Sequence, residues 1–263
     1  MAPPADVVAR LRAAGCVFAE DEARLLAAAA LSPAELEQMV RRRVAGLPLE
    51  HVLGWAEFAG LRIGVAPGVF VPRPRSELLV AEAVALLRGL ADPPVVVDLC
   101  CGCGALGLAV ACAVPAIELH AADIDPGAVA CARGNLAGLG DVYEGDLYDA
   151  LPRCLRGRVD VLLANVPYVP TDAIPLLPAE AREHEPRTAL DGGPDGLDVL
   201  RRVASAAPGW LAPGGHLLSE TSERQASAAL AVLEAAGLRP RVIRSEELDA
   251  TAVAGRRAAA AHA

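Results

Sequence analysis

Lysine is missing from this chain. All 24 basic side chains are arginine, set against 33 aspartates and glutamates, for a formal net charge of −9 and a pI near 5.1. That balance does not suit a sequence-independent phosphate-binding surface, which works by basic side chains displacing counterions. Direct nucleic-acid binding is therefore not expected, and the cluster Arg41-Arg42-Arg43 needs a partner to mean more. Aromatics are also scarce, at 3% against an apolar fraction of 54%, so the core is expected to be aliphatic and helix-rich. No apolar stretch reaches the roughly 20 uncharged residues that a membrane span requires. The opening MAPPADVVARLRAAG lacks a basic start followed by an apolar block, so no signal peptide and a cytoplasmic location are expected. Seven cysteines, an odd number, read as reduced thiols. Cys100, Cys101 and Cys103 crowd together, but no second Cys or His pair stands nearby at ligand spacing, and no metal is expected.

What is present reads as one large domain with a small one before it, within 263 residues. Residues 5–45 read as short amphipathic helices. LSPAELEQMV starts one of them with Ser32 as N-cap, Pro33 at the first helical position and Glu35 three residues on; Gly46 closes it. From Leu47 to Val71 glycines and β-branched residues suggest a β-hairpin or short linker sheet joining two domains. Pro72 and Pro74 precede a helix over about 76–89. The expected organisation is a helical N-terminal domain over 1–45, a hairpin linker over 46–75 and a catalytic domain over 76–263.

From Pro93 strands and helices alternate: VVVDL, then a helix through ALGLAVACAV; IELHAADI, then a helix through PGAVACARGNLAGLG. Short strands follow at about 141–144 and 159–164, then a helix over about 195–207, the strand GGHLLSE and a helix through ERQASAALAVLEAAG. LRPRVIR and ATAVAG close the pattern as weaker strands suited to a sheet edge with one antiparallel member. Repeated βα units predict an α/β fold, a mostly parallel sheet covered on both faces.

In such a sheet ligands sit at the carboxyl ends of the strands. VVVDLCCGCGA is a strand ending in an acid and running through a small-residue turn into a helix, where a cofactor can approach the backbone. Dinucleotide-binding enzymes use similar turns, so this motif alone does not choose a cofactor. Asp123 falls at the end of the second strand, where a carboxylate can accept both hydroxyls of a ribose. Asp125 with Pro126 reads as the N-cap of the next helix. Asp146 follows the third strand, where an adenine amino group could be met. Asp98, Asp123 and Asp146 thus mark three consecutive strand ends and favour an adenosine-bearing ligand.

The fourth strand delivers LLANVPYVP. An amide nitrogen is a poor nucleophile, because its lone pair is shared with the carbonyl. A site that accepts both N–H hydrogens, one at the Asn165 side-chain oxygen and one at the Val166 carbonyl, can hold that nitrogen facing a methyl sulfonium. Tyr168 can stack on the planar acceptor.

With these residues in hand, the chain resembles the PrmC/HemK family of S-adenosylmethionine-dependent protein-glutamine N5-methyltransferases. The likeness runs from about Gly46 to Gly215. It rests on GLPLEHVLGWAEFAGLRIGVAPGVFVPRPRSELLV, DLCCGCGALGLAVA, ADIDPGAVACARGN, NVPYVP and, most specifically, EHEPRTALDGGPDGLDVLRRV; APGGHLLSETSERQ continues it. The resemblance implies a helical substrate-recognition domain and a seven-stranded catalytic domain. It also implies S-adenosyl-L-methionine as cofactor and, as protein partner, a peptide-chain release factor carrying the target in its Gly-Gly-Gln loop. Asp98, Cys100, Cys101, Gly102, Cys103, Gly104, Asp123, Ile124, Asp146, Leu147 and Asn165 form the expected cofactor set. Asn165, Val166, Pro167 and Tyr168 are expected to hold the glutamine.

The sequence departs from the family pattern where Cys100 replaces a glycine, Arg75-Ser76 replaces Glu-Thr and Val166 replaces a proline. Val166 still offers a carbonyl and, preceding Pro167, is still pushed towards extended geometry. Methylation of a nucleobase amine uses the same asparagine–aromatic arrangement, and a cofactor-binding protein without transfer activity stands as a further alternative; a nicotinamide oxidoreductase is more distant.

Overall fold

Ser32 sits where a helix start was expected, and the chain before and after it is helical. The computed structural model describes residues 4–90 and 93–259. Met1–Pro3, within the stretch read for a signal peptide, and the last four residues of the alanine-rich tail lie outside the described residues. Helices α1 (Ala5–Ala13), α2 (Ala19–Ala29) and α3 (Pro33–Val44) turn Val7, Leu11, Ala23, Leu26 and Val40 into a shared core. At the start of α3, Ser32 Oγ accepts the Glu35 N–H at 3.2 Å, and the Glu35 carboxylate accepts the N–H of Leu31 rather than of Ser32, at 2.7 Å. Gly46 ends the segment at φ 98°.

The stretch expected to be hairpin from Leu47 onward begins instead with a short helix, α4 (Leu49–Leu53), and Leu47, Leu49, Val52 and Leu53 pack into the core of the first three helices. Their apolar spacing is that of one helical turn, not the alternation of a strand. The hairpin proper is β1 (Trp55–Phe58) and β2 (Leu61–Gly64), joined through Ala59 and Gly60, both at positive φ as a tight two-residue turn requires.

The rest follows the βα pattern. In chain order it comprises α5 (Glu77–Leu87), β3 (Val95–Leu99), α6 (Ala105–Ala113), β4 (Glu118–Asp123), α7 (Pro126–Asn135), β5 (Gly140–Glu144) and β6 (Val159–Ala164). After a short helix α8 (Ala179–His184) come α9 (Asp198–Trp210), β7 (Leu211–Thr221), α10 (Ala226–Ala235), β8 (Arg239–Ser245) and β9 (Ala250–Arg256). The seven strands from β3 to β9 form one sheet in the order β5-β4-β3-β6-β7-β9-β8. Pairing is parallel from β5 to β7 and antiparallel on both sides of β9.

Alternate side chains feed two cores. Val96, Ala121, Leu163 and Leu218 face α5, α6 and α7, while Val97, Ala122, Leu162 and Leu217 face α9 and α10. Each fully buried valine or leucine contributes about 1.5–3 kcal/mol. Because the chain walks outward from β3 to β5 and then returns to β6 on the other side of β3, a crevice opens at the carboxyl ends of β3 and β6. α7 stops at Asn135, short of the expected 140, and Gly138 follows in a left-handed conformation at φ 78°; the Asn135 side-chain amide donates to the Gly64 and Cys103 carbonyls at 2.8 Å each.

Arg43 of α3 ties the helical unit to the sheet domain. Its buried guanidinium donates to Glu22 at 2.6 Å and to Glu180 of α8 at 2.7 Å. Among the described residues no helix is long and apolar enough to cross a membrane.

Candidate active site

A cavity of about 830 Å³ occupies the crevice, walled by the turn after β3, the ends of β4 and β6, the segment 68–76 and the stretch 177–191. Leu99 ends β3, and the chain then swings into α6 through Cys100, Gly102 and Gly104, all at positive φ (55°, 55° and 78°). Cys100 holds a left-handed conformation that a side chain adopts only at a cost, which is why a glycine suits the position. A Cβ on Gly102 would meet no atom within 4 Å, so the turn leaves its cavity side open.

Asp123, at the end of β4, braces this turn. Its Oδ2 accepts the Gly102 N–H and its Oδ1 accepts the Asp125 N–H, each at 2.9 Å. Burial pushes its carboxyl above the ordinary aspartate value, and the backbone N–H donors oppose that shift. Asp125 caps α7 as the sequence predicts, its Oδ1 accepting the Ala128 N–H at 2.9 Å. Ile124, 58% exposed, and Leu147 bring apolar surface to the wall, and Asp146 stands beside them with Arg202 donating to its Oδ2 at 2.6 Å.

Two expected cofactor residues stand elsewhere. Asp98 is fully buried behind the turn, where its Oδ2 accepts the Gly107 N–H of α6 at 3.0 Å. Burial, with a smaller contribution from Asp123, pushes its carboxyl up to about 7 against the lowering effect of the Gly107 N–H. Asp98 therefore anchors the start of α6 and takes no place in the cavity wall. Gly104 also faces away, since a Cβ there would come within 3.2–3.3 Å of Leu136 and Ala132. Cys100, Cys101, Gly102, Cys103, Asp123, Ile124, Asp146, Leu147 and Asn165 do line the cavity.

These residues fit S-adenosylmethionine. An open backbone turn, a carboxylate at the second strand end, a second carboxylate further along and two aliphatic side chains between them are what a ribose, an amino-bearing ring and a flat purine face need. Among the described residues no group of three or more His, Cys, Asp or Glu is arranged to hold a metal ion.

Asn165, Val166, Pro167 and Tyr168 continue from β6 along the cavity. Val166 is 2% exposed, its side chain packed into the core on the α9 and α10 face, so packing holds its backbone in place. The run Asp191–Gly196 lies directly against this segment. Val169 donates to Leu190 at 3.0 Å and accepts from Gly192 at 2.9 Å, and a Cβ on Gly192 would stand 2.6 Å from the Pro167 carbonyl oxygen. Gln225, after β7, donates to the carbonyls of Tyr168 and Asp195 at 2.9 Å each and clips the two together.

Three further residues that were not among the expected site residues meet here. Glu220, near the end of β7, is 4% exposed and accepts from Arg75 Nε at 2.9 Å, from Tyr168 Oη at 2.6 Å and from Ser76 Oγ at 2.5 Å. Asn165 Nδ2 in turn donates to Ser76 Oγ at 3.2 Å. The phenol of Tyr168 is pushed well up, by burial first and then by the neighbouring Glu220 carboxylate. Arg75 thus has its countercharge in Glu220. The signal was a carboxylate near the end of the strand GGHLLSE, beside the strand that leads into Asn165. Glu185, also in the cavity wall, accepts from Arg73 at 2.5 Å and from the Val71 N–H at 3.2 Å, joining the 177–191 stretch to the segment before α5.

Comparison with known proteins agrees with this geometry. The methyltransferase small domain family matches residues 65–177. The release factor glutamine methyltransferase of Streptomyces coelicolor is 40% identical over 190 residues, covering 72% of this chain and 67% of that protein. Its counterpart from Bordetella pertussis is 42% identical over 205 residues, 77% of this chain and 74% of that one. A 4-amino-L-phenylalanine/4-methylamino-L-phenylalanine methyltransferase of Streptomyces pristinaespiralis is 38% identical over 210 residues, 78% and 71% of the two chains. Among solved structures, a methyltransferase from Pyrococcus furiosus shares the fold with a TM-score of 0.56 at 15% identity, over 84% of this chain and 98% of that one. Matched at this identity over two thirds or more of its relatives' length, the chain belongs to the release factor glutamine methyltransferase family.

Proposed function

We propose that this protein transfers a methyl group from S-adenosylmethionine to the side-chain amide nitrogen of a protein glutamine, the one in the Gly-Gly-Gln loop of a peptide-chain release factor. The observation that carries this reading is Asn165. Its amide lines the same cavity as Asp123 and Asp146, and its nitrogen is already bonded to Ser76, which leaves its oxygen for an incoming N–H.

S-adenosylmethionine supplies a methyl group on a sulfonium, whose S–C bond breaks, with the pair kept by sulfur, as the N–C bond forms. The chain's own work is to hold the acceptor. Asn165 Oδ1 and the Val166 carbonyl accept the two amide hydrogens, and the Tyr168 ring confines the amide plane. Positioning of this kind can supply about 7–11 kcal/mol of barrier reduction. The nitrogen, positively charged once it carries the methyl group, then loses a proton to water, so no strong general base is needed. Asp123 receives the ribose hydroxyls, Asp146 the adenine amino group, and Ile124 and Leu147 the flat faces of the ring. The helical unit α1–α4 recognises the protein substrate, and Arg43, through Glu180, ties that unit to the cavity wall.

The test is to supply labelled S-adenosylmethionine and ask which fraction takes the label: a purified release factor, nucleic acid, or 4-aminophenylalanine, the amine named for one relative. Label in the release factor alone supports the proposal. Label in nucleic acid or in the free amino acid points to that acceptor, and label in none points to a cofactor-binding protein without transfer activity.

A further inference from the structure

We infer that Ser76 and Glu220 are positioning residues that fix which face of the Asn165 amide meets the substrate. The inference rests on the methyl-transfer reading above and adds to it the part of the chain that orients the acceptor site.

The direction of each hydrogen bond follows from what each group can do. A carboxylate has no hydrogen to give, so at 2.5 Å from Glu220 Oε2 the Ser76 hydroxyl must be the donor. Its single hydrogen is then spent, and Ser76 Oγ can only accept. The neighbour at 3.2 Å must therefore be the nitrogen of the Asn165 amide, because an oxygen there would face lone pair to lone pair. With Nδ2 turned to Ser76, Oδ1 is left for an N–H of the substrate. An amide turned the other way would offer the substrate N–H a second N–H and could not hold it.

The other carboxylate oxygen completes the arrangement. Glu220 Oε1 accepts from Tyr168 Oη at 2.6 Å and from Arg75 Nε at 2.9 Å. One buried side chain thus sets Tyr168 directly and Asn165 through a hydroxyl, and Arg75 supplies the countercharge. Ser76 is 2% exposed and Glu220 4%, so water does not compete for these bonds. The hydroxyl is the essential feature of position 76. A threonine carries a hydroxyl as well, which makes Ser76→Thr the conservative replacement.

The experiment compares wild type, Ser76→Ala, Ser76→Thr and Glu220→Gln as full-length proteins, each first checked for a wild-type-like melting transition. Turnover on a release factor is measured together with KM and with the cofactor dissociation constant by calorimetry, and the Asn165 side-chain amide resonances are followed by NMR without any ligand. Ser76→Ala should lower kcat at least tenfold, with KM and cofactor affinity within about threefold of wild type, and should shift the Asn165 Nδ2 resonances. Ser76→Thr should restore most of the turnover and the wild-type resonances. Glu220→Gln, which can donate to Ser76 and so reverse the chain of donors, should behave like Ser76→Ala. Unmoved Asn165 resonances in Ser76→Ala, undiminished kcat in that variant, or equal loss in Ser76→Ala and Ser76→Thr would each overturn the inference. Wild-type protein that transfers nothing to glutamine defeats the functional reading instead, and the NMR comparison still decides whether the relay exists.

Discussion

Arg75 Nε and Glu220 Oε1 lie 2.9 Å apart, joining the segment before α5 to the end of β7 beside the cavity. Glu220 is buried while the Arg75 side chain is 48% exposed, so removing the arginine leaves a carboxylate stranded with only neutral donors. Arg75→Ala should therefore cost about 1–3 kcal/mol in urea unfolding, less than a fully buried pair because water reaches Arg75. Adding Glu220→Gln should recover part of the loss. Unfolding of the single variant at the wild-type midpoint would show that the pair contributes nothing.

The glycines of the Asp191–Gly196 run are required by contact. A Cβ on Gly192 would stand 2.6 Å from the Pro167 and Gly196 carbonyl oxygens, and one on Gly196 would collide with the Tyr168 carbonyl. Gly196→Ala, at φ 76°, should destabilise the protein by about 2 kcal/mol or more and reduce methyl transfer with it. Gly134, in α7, has nothing within 4 Å of an added Cβ, and Gly134→Ala should instead stabilise by about 0.5–1 kcal/mol. Thermal melts of the two variants check both signs.

Asp98 predicts a pH dependence. Its folded-state value, about 7, lies above its ordinary 3.8, so the native state holds the proton more tightly than the unfolded chain does. The contribution of this group to stability therefore declines as pH rises from about 4 through about 7 and is lost above that range. Asp98→Asn keeps an acceptor for the Gly107 N–H without the charge. It should be more stable than wild type at pH 8, by about 1–3 kcal/mol, with the difference closing near pH 5. Denaturant curves at the two pH values measure this, and a difference that grows on acidification would refute it.

Cys100, Cys101 and Cys103 should stay thiols. Burial pushes all three up, Cys103 to about 12, and neighbouring carboxylates add to the shift at Cys100 and Cys101. The thiolate is the reactive form, so the cluster should resist alkylation in the native protein. Cys112 and Cys154, both exposed, should label first. Mass spectrometry after brief iodoacetamide treatment at pH 7.5 reads the order.

That Asp123, Asn165 and Tyr168 stand around one crevice was legible in the sequence, because alternating βα units assign strand ends and strand ends meet there. Asp98 was placed wrongly because composition shows an acid near a strand end but not which way its side chain points. It lies one residue before the end of β3, and its carboxylate turns to the α6 backbone. Ser76 and Glu220 escaped because their contact joins residues 144 apart, and nothing local to either predicts it. The short helix α4 was read as hairpin because the glycines and β-branched residues that follow it were taken to set the character of the whole stretch, masking one turn of helical spacing at Leu49, Val52 and Leu53. The valine at 166 became intelligible only with its side chain in the core.

The proposed role of Asn165 is to present a protein glutamine to the cofactor's methyl group. Its most direct test is mass spectrometry of a peptide-chain release factor co-expressed with wild-type protein or with Asn165→Ala. A single added methyl on the Gly-Gly-Gln glutamine with wild type, and none with Asn165→Ala, is the predicted result. An unmodified glutamine with wild type, or the same methylation with Asn165→Ala, would contradict it.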